Sequence, residues 1–402
     1  MDIKVIQKEG AFSSMKKEWN QLLEKSKSKS IYLTWEWLFT WWQVYGENRE
    51  LFIVCILKDD ELISILPLIK RNIKELGVFK QVVIEFLGTG EDEKDEVCSN
   101  LMEPIAHPDF ESEINSVLLS FLADGKSHNW DQLIFRCVRR NSLFMREINS
   151  DLISDKFFIK EVMTKKNGIT NLNEGWDCFF SSLGQRTRKK IRRERRFLES
   201  QKDFSYRFLE DESELEGMLE AFIALSLKRW NGGGACASDK FIKFTKLVCF
   251  EYFKKGMLKL SLMEVDGKVI AGNLDYCFKD TIYGYQTTYD PEFNPKIGVG
   301  MQGMLYCIEN AAEEGFKRYD WYGIKKGSYK EHFVNESQDI VTVFVKKKNL
   351  TSLLVDNFER SRKIIKSPMC QGRIRLIRNK KSKGRSEVKE CKGDIRKNLK
   401  NQ

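Results

Sequence analysis

Residues 283–333 (YGYQTTYDPEFNPKIGVGMQGMLYCIENAAEEGFKRYDWYGIKKGSYKEHF) constrain the fold of this chain more than any other stretch. The segment opens as an aromatic strand, on which Tyr283, Tyr285 and Gln286 alternate faces, so that at most one face can line a cleft. Gly298, Gly300 and Gly303 then bracket a turn. Leu305, Ile308, Ala311 and Ala312 supply the apolar face of a helix, which Gly315 stops. A second aromatic strand begins at 316–322 and leads to the pair Tyr329-Lys330. A glycine turn that feeds a helix after a strand can hold a phosphate on its backbone N–H groups. The other reading is a tight turn with no ligand, and the glycines alone do not choose between the two.

At 402 residues the chain is long enough for two domains, each with its own core. The longest apolar runs, 51–57 and 62–69, are too short to span a bilayer as helices. The segment MDIKVIQKEG lacks the apolar run of a secretory signal, so a cytoplasmic place is expected. The ten cysteines show no Cys-x-x-Cys spacing, and only three histidines are present. Free thiols in a reducing compartment are expected, and no metal. The net charge of +10 is uneven: from Lys346 onward 19 Lys and Arg face 5 Asp and Glu, which leaves −4 on the first 345 residues.

Two similar halves are suggested by two hairpins. Residues 51–57 and 62–68 form one pair of strands, and 258–265 and 269–276 the other, joined by Asp266-Gly267, a strong hairpin signal. Each hairpin follows a helical stretch containing tryptophan, 34–42 in the first half and 215–230 in the second. In the first half Gly88-Thr-Gly90 is followed by five acids and one lysine, a field that would repel a pyrophosphate. Residues 186–196 carry eight basic side chains in eleven positions. This run is either a solvated face or an anion site, with Arg188, Arg192 and Arg195 near one face at helical spacing. The expected division is 1–168, 169–348 and a basic tail, 349–402, partly helical or disordered.

With these landmarks in place, residues 30–335 resemble the GNAT acyltransferase superfamily. The likeness is to its CelD-like (BioF-like) acetyltransferase group and, more distantly, to Fem-type peptidoglycan-bridge aminoacyltransferases. It is carried by Trp35-Glu-Trp-Leu38, Trp41-Trp42, Phe86-Leu-Gly88, the basic run, Arg229-Trp230, Ala271-Gly272, Gly300, Gly315, Tyr319-Asp320, Gly323 and Tyr329-Lys330, in that order. The resemblance implies an α/β (α+β) fold of two tandem GNAT-like lobes. Each lobe would be a mixed, mostly antiparallel sheet flanked by helices, with acetyl-CoA or another acyl-CoA bound in the second. The pyrophosphate would lie on Gly298, Val299 and Gly300, with Gly303 in the same turn. Pro295 stands where the superfamily has a basic residue, and Gly-Val-Gly replaces the CelD-like Ser-Pro-Gly. On that resemblance Asp320 is a base or the partner of a neighbouring cation, Tyr329 a candidate acid or a strand-end residue, and Lys330 a stabiliser of the developing oxyanion or a solvated cation. Arg188, Arg192, Arg229, Trp230 and Tyr285 are the candidate substrate contacts.

The expected activity is N-acylation of an amine, on an amino sugar or a polysaccharide or cell-envelope precursor, without a metal. One alternative is a Fem-like aminoacyltransferase using aminoacyl-tRNA. Another is a non-catalytic protein that binds anionic membrane or nucleic acid through its basic tail.

Overall fold

The computed structural model describes residues 1–75, 79–124, 129–150, 153 and 156–348. The chain divides into two compact units, 1–73 with 80–346, and 74–79 with 347–402. The fold below is that of the first unit, and the tail expected at 349–402 lies outside the described residues.

In the first half, β1 (Asp2–Ile6) is followed by helices Glu9–Ser14, Lys16–Lys25 and Trp35–Tyr45. Then come β2 (Glu50–Leu51), β3 (Ile53–Lys58), β4 (Glu61–Leu66), β5 (Leu68–Glu75) and β6 (Phe79–Phe86). β7 (Ile105–Ala106), helix Glu111–Ala123, β8 (Gln132–Arg139), helix Leu143–Ile148 and β9 (Phe157–Asn171) complete it.

The second half opens with helices Gly175–Ser182 and Gln185–Glu199 and continues through β10 (Ser205–Phe208) and helices Glu212–Arg229 and Asp239–Phe253. β11 (Leu258–Val265), β12 (Lys268–Phe278) and β13 (Thr281–Tyr289) form a meander. Helix Val299–Glu313, β14 (Arg318–Asp320) and β15 (Glu336–Lys347) follow.

Among the described residues eleven strands form one sheet in the order β10-β11-β12-β13-β14-β9-β15-β8-β6-β5-β2, and β1-β3-β4-β7 form a second. The two halves echo each other. β13 and β14 are parallel and joined through helix Val299–Glu313, while β6 and β8 are parallel and joined through helix Glu111–Ala123. The last strand of each half has crossed over: β9 pairs with β14, and β15 with β8. β9 therefore runs unbroken through residue 168, where the sequence places the junction.

Both expected hairpins form, but in different sheets. Pro67, which has no N–H for a ladder, sits where the chain leaves β4 in the small sheet and enters β5 in the large one. Asp59-Asp60 and Asp266-Gly267 turn with both residues at positive φ, the twist that suits a tight hairpin. The second aromatic strand is shorter than its pattern suggests, three residues at Arg318–Asp320.

The Trp-rich helix Trp35–Tyr45 joins the halves. Thr34 caps it by accepting from the Trp37 N–H, and the Thr34 hydroxyl bonds Tyr252 at 2.8 Å. Trp37 is fully buried among Phe244, Tyr252, Tyr276 and Tyr285 of the second half, and its indole N–H donates to Ser99 at 2.9 Å. One apolar core thus serves both halves.

Candidate active site

β13 and β14 share three rungs, Thr281 with Arg318, Ile282 with Tyr319 and Tyr283 with Asp320, and then part. β13 continues to Tyr289, while the chain after Asp320 turns through Trp321 and a left-handed Tyr322, φ 66°. Parallel strands that separate open a slot edged by backbone groups without ladder partners. β13 also bulges here, because Leu274 faces Gln286 and Asp275 faces Gly284, leaving Tyr285 as the extra residue.

Two buried carboxyls flank the slot from opposite faces of the sheet. Asp275 on β12 accepts from the Tyr319 hydroxyl at 3.1 Å. Burial lifts its pKa to about 7, against the Tyr319, Cys307 and Tyr285 N–H hydrogen bonds and the Lys330 charge, all of which favour the anion. Asp320 points the other way, as alternation along β14 requires. One of its oxygens accepts from the Tyr322 N–H at 2.7 Å and the other from the Asn167 amide at 2.7 Å. Burial raises its pKa to about 6, countered by those two bonds and by Lys165 and Arg318. Asn100 in turn donates to Asn167 at 3.2 Å, giving an Asn100–Asn167–Asp320 chain.

Lys330 lies over the Trp321 ring, 5.7 Å from its centre, on the short turn Tyr329–His332. Burial lowers its pKa and Arg229 adds to that, while Asp275 and Asp320 oppose it. Burial raises the pKa of Tyr329, so its hydroxyl stays protonated near neutrality and can donate. Arg229 donates to the Thr287 carbonyl at 2.5 Å, and its guanidinium covers the rings of Tyr289 and Trp230 at 4.2 and 4.8 Å. Trp230 is exposed at the end of helix Glu212–Arg229. Tyr329, Lys330 and Arg229 thus come together on the Asp275 side of the slot, and Asp320 faces its other side. Tyr285 does not line it: the hydroxyl bonds the Val97 carbonyl at 3.1 Å and the ring packs on Trp37, Tyr276 and Phe241.

The basic helix Gln185–Glu199 stands apart from this group, and two of its three spaced arginines hold the fold. Arg188 donates to the Ser181 and Leu183 carbonyls, capping the preceding helix end. Arg195 bonds Glu309 at 2.7 Å and covers Tyr306 at 4.2 Å. Arg192 is exposed and rests over Phe180 at 5.1 Å.

The glycine turn has a partner that its pattern does not reveal. Gly298 caps helix Val299–Glu313, and its N–H donates to the buried carboxylate of Glu194 at 3.3 Å. Gln302 donates to the same oxygen at 3.3 Å. A carboxylate at a helix N-terminus occupies the place an anionic ligand would take. A pyrophosphate laid directly on this turn would meet that charge, so the residues fit such a group only outside Glu194. There Lys190 and Arg193, each 3.8 Å from the carboxylate, border it. Gly300 and Gly303 have a packing reason as well. A Cβ on Gly300 would lie 2.8 Å from Tyr289 and one on Gly303 2.6 Å from the Asn273 amide, so both let the helix press on the sheet.

Sequence patterning passes over Asp275, although a carboxylate within the apolar run 269–276 is unusual. It also passes over Glu194, the one acid in the basic run. A third group had no visible signal. Lys165 stands 3.2 Å above the Tyr322 ring with its pKa lowered by burial. Around it Cys98, Cys137 and Tyr322 all take left-handed backbone, φ 59°, 57° and 66°. Strain of this kind gathers where a fold holds working groups in place. Among the described residues no group of three or more His, Cys, Asp or Glu is placed to hold a metal, and no helix is long and apolar enough to cross a membrane.

Residues 185–331, which span the basic helix, the slot and Lys330, match the family described as "Acetyltransferase (GNAT) domain". The chain carries a GNAT-type acetyltransferase domain. The enzyme class that goes with this domain is acyltransferase. Solved structures share the architecture over most of the chain. FemX is 13% identical with a TM-score of 0.58, covering 88% of this chain and all of its own. A conserved protein of unknown function from Bacteroides thetaiotaomicron is 13% identical with a TM-score of 0.54, covering 86% and 100%. L-PGS from Bacillus licheniformis is 10% identical with a TM-score of 0.50, covering 86% and 96%. At such identities the likeness speaks for the fold. No curated protein sequence matches.

Proposed function

We propose that the protein transfers an acyl group from acyl-CoA to the amine of an amino sugar or a cell-envelope polysaccharide precursor. The observation that carries this reading is the slot where β13 and β14 part, with Asp320, Lys330 and Tyr329 around it inside the matched domain. Asp320, with its pKa of about 6, is ionised at neutral pH and takes a proton from the acceptor's ammonium. The freed amine attacks the acyl carbonyl carbon, and Lys330 stabilises the oxyanion. As the bond to the leaving group breaks, Tyr329 gives that group a proton, and the second amine proton restores Tyr329. The Trp230 face and Arg229 border the slot on the side away from Asp320, beside Tyr329, and the donor's phosphates meet Lys190, Arg192 and Arg193 on the exposed side of Glu194.

Titration calorimetry with acetyl-CoA tests the donor directly. Heat of binding that saturates at micromolar to millimolar ligand is expected, and a folded protein that takes up none at millimolar acetyl-CoA would sink the reading. A second reading, transfer from aminoacyl-tRNA, is favoured by the Glu194 carboxylate on Gly298, which disfavours a pyrophosphate there, and by the FemX-like fold. Co-purification of tRNA in place of CoA would select it. With either donor, we place the protein in the cytoplasm, its basic tail touching anionic membrane or nucleic acid.

A further inference from the structure

Asp320 faces away from the glycine-turn helix, and on that side two cavities adjoin. The smaller, about 140 Å³, is bounded by Asp320, Tyr283 and Ser30. The larger, about 480 Å³, reaches Asn115 and Ser142. Lys27, Glu103, Arg139 and Gln338 line both, so the two make one groove that ends on the Asp320 carboxyl.

The groove is polar but not of one sign. Arg139 meets Glu103 at 2.6 and 2.7 Å, and Lys27 meets Glu111 at 2.9 Å, so its main charges are already paired. What remains open is hydrogen-bonding capacity. Asn115 is buried; its amide N–H donates to the Glu111 carbonyl at 3.0 Å, while its Oδ1 has no partner. Arg139 Nε is likewise buried without one. A buried donor or acceptor left unmatched costs about 1–3 kcal/mol, and a ligand hydroxyl, both donor and acceptor, would relieve either. A volume of this order suits a ligand of one or two sugar rings.

We infer that this groove seats the acceptor, an amino sugar or short amino-glycan whose hydroxyls meet Asn115 and Arg139 and whose amine reaches Asp320. The inference rests on the acyltransferase reading with Asp320 as base. It adds where the acceptor lies and why a polyhydroxylated amine is chosen over a plain alkylamine.

The test is binding of D-glucosamine to the full chain by ligand-observed NMR, with n-butylamine as control and acetyl-CoA titrated in parallel. Two variants close the groove, Gln338→Trp at the join and Asn141→Trp at the exposed wall, and melting curves show that each is folded. Wild type should bind glucosamine and not butylamine. Both Trp variants should weaken glucosamine binding at least about tenfold, a loss of ~1.4 kcal/mol. Glucosamine affinity unchanged in both folded variants, or absent in wild type, overturns the groove as acceptor site. If glucosamine binds in a groove-dependent way but acetyl-CoA does not bind, the donor assignment falls and the groove stands.

Discussion

Replacing Asp320 by Asn should make the protein more stable and less active, with a gain that depends on pH. The carboxyl is buried and its pKa is raised from 3.8 to about 6, so its folded form holds a proton more tightly than its unfolded form. Stability from that proton is fully present below pH 3.8 and is lost as the pH rises through about 6. Near pH 8 the ionised, buried group therefore costs wild type about 3 kcal/mol, at ~1.4 kcal/mol per unit. Asn carries no charge at any pH. Its oxygen can keep the Tyr322 N–H, and its amide can donate to Asn167 once Asn167 flips. Asn100, whose Oδ1 has no partner, can flip in turn to donate to nothing new and accept from Asn167. Imperfect bonds along this chain would take back about 1 kcal/mol. Urea denaturation followed by tryptophan fluorescence should show Asp320→Asn about 2 kcal/mol more stable than wild type at pH 8. The difference should shrink toward zero or slightly below by pH 4.5. Acyl transfer should fall by roughly 100-fold or more, the usual worth of a general base. A stability difference of the same size at both pH values, or a loss of stability at pH 8, would refute the buried-charge reasoning. Full activity in the variant would refute the catalytic role.

Other outcomes follow from the same geometry. In wild type kcat/KM should climb as the pH rises through about 6, while Asp320→Asn should lack that limb; a flat wild-type profile would count against Asp320 as base. Glu194→Gln keeps an acceptor for Gly298 but removes the charge, so acetyl-CoA affinity should rise by roughly 5–10-fold in calorimetry if the phosphates lie beside this turn. Trp37→Ala, which hollows the core shared by both halves, should lower stability by about 3–5 kcal/mol in denaturation. Deletion of residues 349–402 should abolish salt-sensitive binding to anionic vesicles or nucleic acid and leave acyl transfer intact; lost activity would show that the tail serves the catalytic unit.

The site was half legible before folding. Asp320 and Tyr329-Lys330 stand beside recognisable strands and turns, and the structure sets Tyr329, Lys330 and Arg229 on one side of the slot and Asp320 on the other. Tyr285 read like a cleft residue because it alternates with Gln286, but the bulge at its position turns the ring into the core under Trp37. Arg188 and Arg195 read like ligand contacts because charge runs carry no sign of which carbonyl or carboxylate will lie opposite. Asp275 lay unnoticed because its importance comes from Tyr319 and Lys330, 44 and 55 positions away.

Residues close along the chain decided what forms locally. The hairpin turn at Asp266-Gly267, the Thr34 cap, the Gly298 turn and the helix after it all depend on neighbours within a few positions, whose sterics and hydrogen bonds are the same in any fold. Pairing and burial depend on residues far apart. The reciprocal crossing of β9 and β15, the parting of β13 from β14 after Asp320, and the carboxylate of Glu194 under Gly298 are made by contacts between residues far apart in sequence, more than two hundred positions where β15 meets β8. Only when those surfaces meet does water leave Asp275 and Asp320, and it is the loss of that water that turns two ordinary acids into groups titrating near neutrality.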